Sequence, residues 1–185
     1  MQRRDLLKLS FGSLLATTIP RWTRADVTST ATHVYPDQAT SGLTQQQWQV
    51  LVTVQAHLFP ADANAPGAQD INAALYLHDV LANPTFDSAD RRFARTGILD
   101  LQTLTHKQFT KRFIDLTSQQ REHVLRLYEQ TPQGSRWLNM ILEYLMEALL
   151  TDPVYGGNPG GIGWQWLEHT PGSPRPPKHK RYFLL

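Results

Sequence analysis

Between residues 43 and 151 the apolar positions recur at helical spacing, not in the alternation of a strand. Trp48, Leu51 and Val52, then Gln55, Leu58 and Phe59, fall on one face of a helix over 43–59. Thr44 and Gln47 form a capping box, Leu43 precedes it as a staple, and Pro60 stops the helix. The spacing predicts a second helix with Ile71, Ala74, Leu75, His78 and Leu81 on one side, ending at Asn83-Pro84. Ser88 is the expected cap of a third, with Phe93, Gly97, Leu101 and Leu104 inward, followed by a short piece around Phe109, Phe113 and Ile114. A second capping box, Thr117 with Gln120, opens a helix that turns Val124, Leu125 and Tyr128 inward. The most apolar helix opens at Gly134-Ser135, with Ser135 as its expected cap. It runs through Trp137, Leu138, Ile141, Leu142, Tyr144, Leu145, Ala148 and Leu149. The expected fold class is all-α: a single helical domain of about five helices.

The pattern changes after Thr151. Residues 152–164 read Asp-Pro-Val-Tyr-Gly-Gly-Asn-Pro-Gly-Gly-Ile-Gly-Trp, a Gly-rich loop, and Trp166 follows. Residues 171–185 are Pro-rich and basic, which favours an extended path, and close on Tyr182-Phe183-Leu184-Leu185. The expected organisation is a signal at 1–25, a Thr/Ser/Ala-rich linker at 26–42, the helical domain at 43–170 and an extended Pro-rich tail at 171–185.

The first 25 residues hold an adjacent Arg3-Arg4 pair, then a short, weakly apolar run from Leu9 to Ile19, then Thr23-Arg24-Ala25. That is the order of an export signal with a cleavage site after Ala25, and the run is too short to span a bilayer. The arginine pair in this setting resembles a twin-arginine signal, with Leu6 where an aromatic is usual.

Charge divides along the same lines. The formal net charge is +2 over 185 residues. Residues 1–25 carry five basic and one acidic side chain, and 171–185 carry four basic and none acidic. Residues 26–170 hold nine basic and fifteen acidic side chains. The globular part is therefore acidic, which argues against nucleic acid as a partner. There is no Cys, so disulfides, a thiolate nucleophile, Cys-ligated iron–sulfur clusters and C-x-x-C-H haem attachment are excluded on this chain.

Candidate chemistry is sparse. The Gly-rich segment has no G-x-x-x-x-G-K-[ST], and it follows a helix where a dinucleotide fingerprint follows a strand. His33, His57, His78, His106, His123, His169 and His179 are scattered without H-E-x-x-H spacing. His57 and His78 sit near apolar faces, where a hydrogen-bonded imidazole is the expectation ahead of a metal ligand. Glu143 and Glu147 share a helix face, but a solvated polar stripe explains them better than an acid/base pair. No Ser lies in a G-x-S-x-G. Trp164 and Trp166 suit an interface, or a sugar site built by stacking.

Several of these pieces together resemble the small, third subunit family of gluconate 2-dehydrogenase. They are Leu43-Thr44 with Trp48, Leu58-Phe59-Pro60 and Pro66-Gly67-Ala68. The most specific is Asp152-Pro153-Val154-Tyr155-Gly156-Gly157-Asn158 with Gly161, Gly163 and Trp164. The resemblance covers about 43–170. It implies a non-catalytic subunit of a periplasmic or membrane-associated, flavin-dependent sugar or sugar-acid dehydrogenase, with no catalytic, cofactor or metal residue of its own. A large glucose–methanol–choline-type subunit would hold FAD, and a cytochrome c subunit, carrying haem c, often takes the electrons in such complexes. The small subunit would escort the flavoprotein to the twin-arginine translocase, with Arg3 and Arg4 as the export determinants. Asp152, Pro153, Tyr155, Gly156, Gly157, Asn158 and Trp164 would form a loop that either braces the fold or docks the partner. The alternative expectation is a stand-alone periplasmic carbohydrate-active enzyme or sugar-binding protein.

Overall fold

The structure is a computed structural model that describes residues 42–85 and 87–177. The expected signal with Arg3 and Arg4, nearly all of the linker, and the end of the tail lie outside the described residues.

The fold is all-α. Its helices are α1 (Gln45–Leu58), α2 (Ala73–Ala82), α3 (Ser88–Phe109), α4 (Ser118–Glu129), α5 (Pro132–Leu150) and the short α6 (Ile162–Trp166). Single 3-10 turns sit at Phe113–Asp115, Pro153–Tyr155 and Pro159–Gly161. Helix α5 is the hub and packs against all five other helices. It can do so because Trp137, Leu138, Ile141, Leu145, Ala148 and Leu149 form a continuous buried stripe at helical spacing. Trp48, Leu51, Ile71, Leu77, Ile98, Leu101 and Phe113 close the core around it, each at 0% exposure.

Both predicted capping boxes form. Thr44 Oγ1 accepts from Gln47 N and Gln47 Oε1 accepts from Thr44 N; Thr117 and Gln120 repeat the arrangement. Leu43 is buried beside the first box, as a staple requires.

Other expectations are corrected. In α2 the buried residues are Ala73, Tyr76, Leu77 and Leu81, whereas Leu75 is 44% exposed. Both sets share Leu81 and have helical spacing. The larger ring of Tyr76 takes the inner face, with its hydroxyl donating to Glu147 Oε2 at 3.0 Å. Helix α3 is capped by Asp87, whose carboxylate accepts from Ala89 N at 2.7 Å; Ser88 is its first residue. The same helix runs on to Phe109, so the expected short piece shrinks to the turn at Phe113–Asp115. Its inner stripe is Ala94, Gly97, Ile98, Leu101 and Thr105, with Phe93 and Leu104 only partly buried. Helix α5 begins at Pro132 and is capped by Thr131, not by Ser135. Proline at the first helical position lacks only an N–H that would have had no partner there. The Gly-rich segment, expected as loop, contains α6.

Candidate functional site

Helix α5 stops at Leu150, and carbonyls at a helix end have no partner within the helix. The Gly-rich segment supplies partners from its side chains. Trp164 Nε1 donates to the Leu150 carbonyl at 2.8 Å, and Asn158 Nδ2 donates to the Thr151 carbonyl at 3.0 Å. Asn158 is at 0% exposure. Its Oδ1 accepts from Gly163 N at 2.7 Å and its own N–H donates to the Ile71 carbonyl at 3.1 Å. One asparagine thus ties the end of α5, the start of α6 and the entry to α2. It sits at φ 49°, a left-handed conformation that Asn tolerates better than most residues.

The rest of the segment is shaped to reach this position. Asp152 caps the first 3-10 turn by accepting from Val154 N at 3.0 Å, and Pro153 follows at the first position of that turn. Tyr155 packs partly buried against the core, and Asn72 Nδ2 donates to the Gly156 carbonyl at 3.4 Å. Gly157 lies against the Ala148 carbonyl. A Cβ on Gly163 would fall inside the Leu149 carbonyl oxygen, so α6 can approach α5 only with glycine at that position.

Two further pieces that carried the family resemblance, Leu58-Phe59-Pro60 and Pro66-Gly67-Ala68, meet in this corner, while Leu43-Thr44 stands at the other end of α1. Ala68 N donates to the Phe59 carbonyl at 2.8 Å, and Trp166 lies edge-on to the Phe59 ring at 6.1 Å. All seven loop residues named from the sequence are brought together here. The residue that sequence reasoning missed is Arg175. Its Nε and Nη2 donate to the two Asp152 carboxylate oxygens at 2.8 and 3.1 Å, and its guanidinium lies 5.2 Å from the Trp164 ring centroid. The hydrogen bond from Arg175, helped by that from Val154 N, outweighs burial and holds the Asp152 carboxyl below the usual range. A signal was present in the run of Pro around a lone Arg, but the sequence could not pair residues 23 apart. The segment 171–177 borders a groove of ≈ 440 Å³ lined by Leu150, Asp152, Trp164 and His169 together with Pro171, Pro174 and Pro176.

The remaining candidates are dispersed. His78 Nδ1 is 3.0 Å from Asp79 Oδ1, and its ring faces Trp48. His123 lies edge-on to Phe109, and His169 is tilted against Trp164. Glu143 and Glu147 are both exposed, and Glu147 also receives the Tyr76 hydroxyl. Among the described residues no three His, Asp or Glu side chains come together as a metal site.

His57 Nε2 lies 2.8 Å from Glu122 Oε2 and links α1 to α4. The bond with His57, with Arg126 adding to it, holds the Glu122 carboxyl below its ordinary value of 4.5. A carboxyl held low contributes stability that is present above its unfolded value and is lost as pH falls through its folded one. Glu122→Gln should therefore be less stable than the parent chain at neutral pH. The gap should close on acidification below pH 4.5; a gap that stayed constant in urea unfolding across that range would contradict the pairing.

Among the described residues no helix is long and apolar enough to cross a membrane. A family model described as gluconate 2-dehydrogenase subunit 3 matches residues 45–172. No curated protein and no solved structure matches the chain.

Proposed function

From the premise that the chain belongs to the gluconate 2-dehydrogenase subunit 3 family, we propose that it is the non-catalytic small subunit of a periplasmic, flavin-dependent sugar or sugar-acid dehydrogenase. It binds a large glucose–methanol–choline-type subunit, stabilises it and escorts it through the twin-arginine translocase. FAD and the oxidation belong to that partner, and haem c to a cytochrome subunit that takes the electrons. The family match over 45–172 carries this reading. The Arg3-Arg4 pair and the weakly apolar run after it support the export route. The lack of Cys agrees with redox centres held elsewhere. We assign the loop from Asp152 to Trp164 the bracing role, because the amide of Asn158 and the indole N–H of Trp164 are spent on the chain's own carbonyls.

The test is export of the pair. Arg3→Lys combined with Arg4→Lys should leave both subunits in the cytoplasm, read by fractionation and by loss of periplasmic dehydrogenase activity. Normal arrival of the large subunit in the periplasm would refute the escort role.

A further inference from the structure

The Asp152 carboxylate and the Trp164 ring together receive one planar cation, the Arg175 guanidinium. The Asp152 side chain is only 11% exposed and is fixed by its bond from Val154 N. Trp164 is 8% exposed and fixed by its indole bond to Leu150. The bonds that orient the carboxylate and the ring thus come from Val154 and Leu150, not from Arg175. The geometry suits a guanidinium, with two parallel N–H···O bonds to one carboxylate and a ring beneath. A lysine ammonium offers no flat fork for that arrangement.

The segment that supplies the guanidinium is otherwise loosely held. Arg175 is 52% exposed, and Gly172, Ser173, Pro174 and Pro177 are exposed as well. Among the described residues, the hydrogen bonds from 171–177 to the helical body are those of Arg175. The family match ends at residue 172, so the pocket lies within it and Arg175 beyond it.

We propose that Asp152 and Trp164 form an arginine-binding site, filled in cis by Arg175, and that this contact is a releasable latch holding the segment 171–177 beside Leu150 and Trp164, where it forms part of the wall of the groove. The occupant is a guanidinium group, and removing Arg175 exposes a site that accepts another.

The test uses the full chain and NMR of the arginine Nε–H and tryptophan indole groups. In the parent chain the Arg175 Nε–H should be displaced by the Trp164 ring and exchange with water about fivefold more slowly than exposed arginines, a factor in keeping with a partly exposed ion pair. Asp152→Asn should abolish that protection, and Arg175→Lys should leave the Trp164 indole signal where Arg175→Ala leaves it. Adding N-acetyl-arginine methylamide at millimolar concentration to the Arg175→Ala chain should shift the Trp164 indole back toward its parent position. The lysine analogue should not. An Arg175 Nε–H that exchanges like the exposed arginines would overturn the latch, and equal shifts from both analogues would overturn the guanidinium site.

Discussion

Asn158→Ala should destabilise the folded chain by about 3 kcal/mol, although it removes only an amide from a loop. Three contributions of known size make up that figure. The Gly163 N–H, buried and now without an acceptor, costs ~1–3 kcal/mol, and the Thr151 carbonyl adds a smaller loss. Alanine at φ 49° costs roughly 1 kcal/mol more. Asn158→Gly separates them, since glycine accepts the backbone angle without restoring either bond. It should be less damaging than alanine by about 1 kcal/mol. Urea unfolding of the two variants is the measurement, with the exposed Asn64 as a control expected within ~0.5 kcal/mol of the parent. A cost for Asn158→Ala near that of the control would mean that the loop does not brace the end of α5. The docking role would then become the better reading of the motif.

That prediction also bears on what the sequence could reveal. Local devices were legible because their physics is contained in four or five neighbouring residues. Thr44 with Gln47, and Thr117 with Gln120, could each be named as capping boxes before any tertiary contact was known. The apolar stripe of α5 was legible for a similar reason, since Trp137 through Leu149 repeats one short period. The α2 face was not, because Leu75 and Tyr76 offered two adjacent stripes, and what favours the tyrosine, its bond to Glu147 included, lies on other elements. The Gly-rich segment could be marked as distinctive but not explained. Its purpose is to reach the carbonyls of Leu150 and Thr151, and that reach depends on α6, which composition alone had marked as loop. Arg175 stood out in its run of Pro but could not be paired, for the same reason: its partners are Asp152 and Trp164.

Gly97→Ala in the middle of α3 should likewise cost about 3 kcal/mol, against the general rule that alanine favours a helix over glycine by ~1 kcal/mol. A Cβ at Gly97 would lie within the Trp137 indole, and that ring has no room to withdraw. It is at 0% exposure and its Nε1 donates to the Ala94 carbonyl at 3.0 Å. The Tyr128 ring stands 5.9 Å from it, with the phenol donating to the Gly97 carbonyl at 3.1 Å. Burial, with the Asp100 charge adding to it, also holds the Tyr128 phenol above its ordinary acidity range. The glycine is thus a notch in α3 that admits a tryptophan of α5, and overfilling such a notch typically costs ~1–3 kcal/mol before the lost hydrogen bond is counted. The discriminating comparison is the same substitution after the ring is gone. Trp137→Ala alone should cost about 4 kcal/mol. In that background Gly97→Ala should be neutral or stabilising, because its methyl enters the vacated space and its helix preference is then unopposed. Equal costs for Gly97→Ala in both backgrounds would show that the glycine serves the backbone of α3 rather than the seating of α5. The hub helix, whose far end the Asn158 bracket holds, would then owe its position to other contacts.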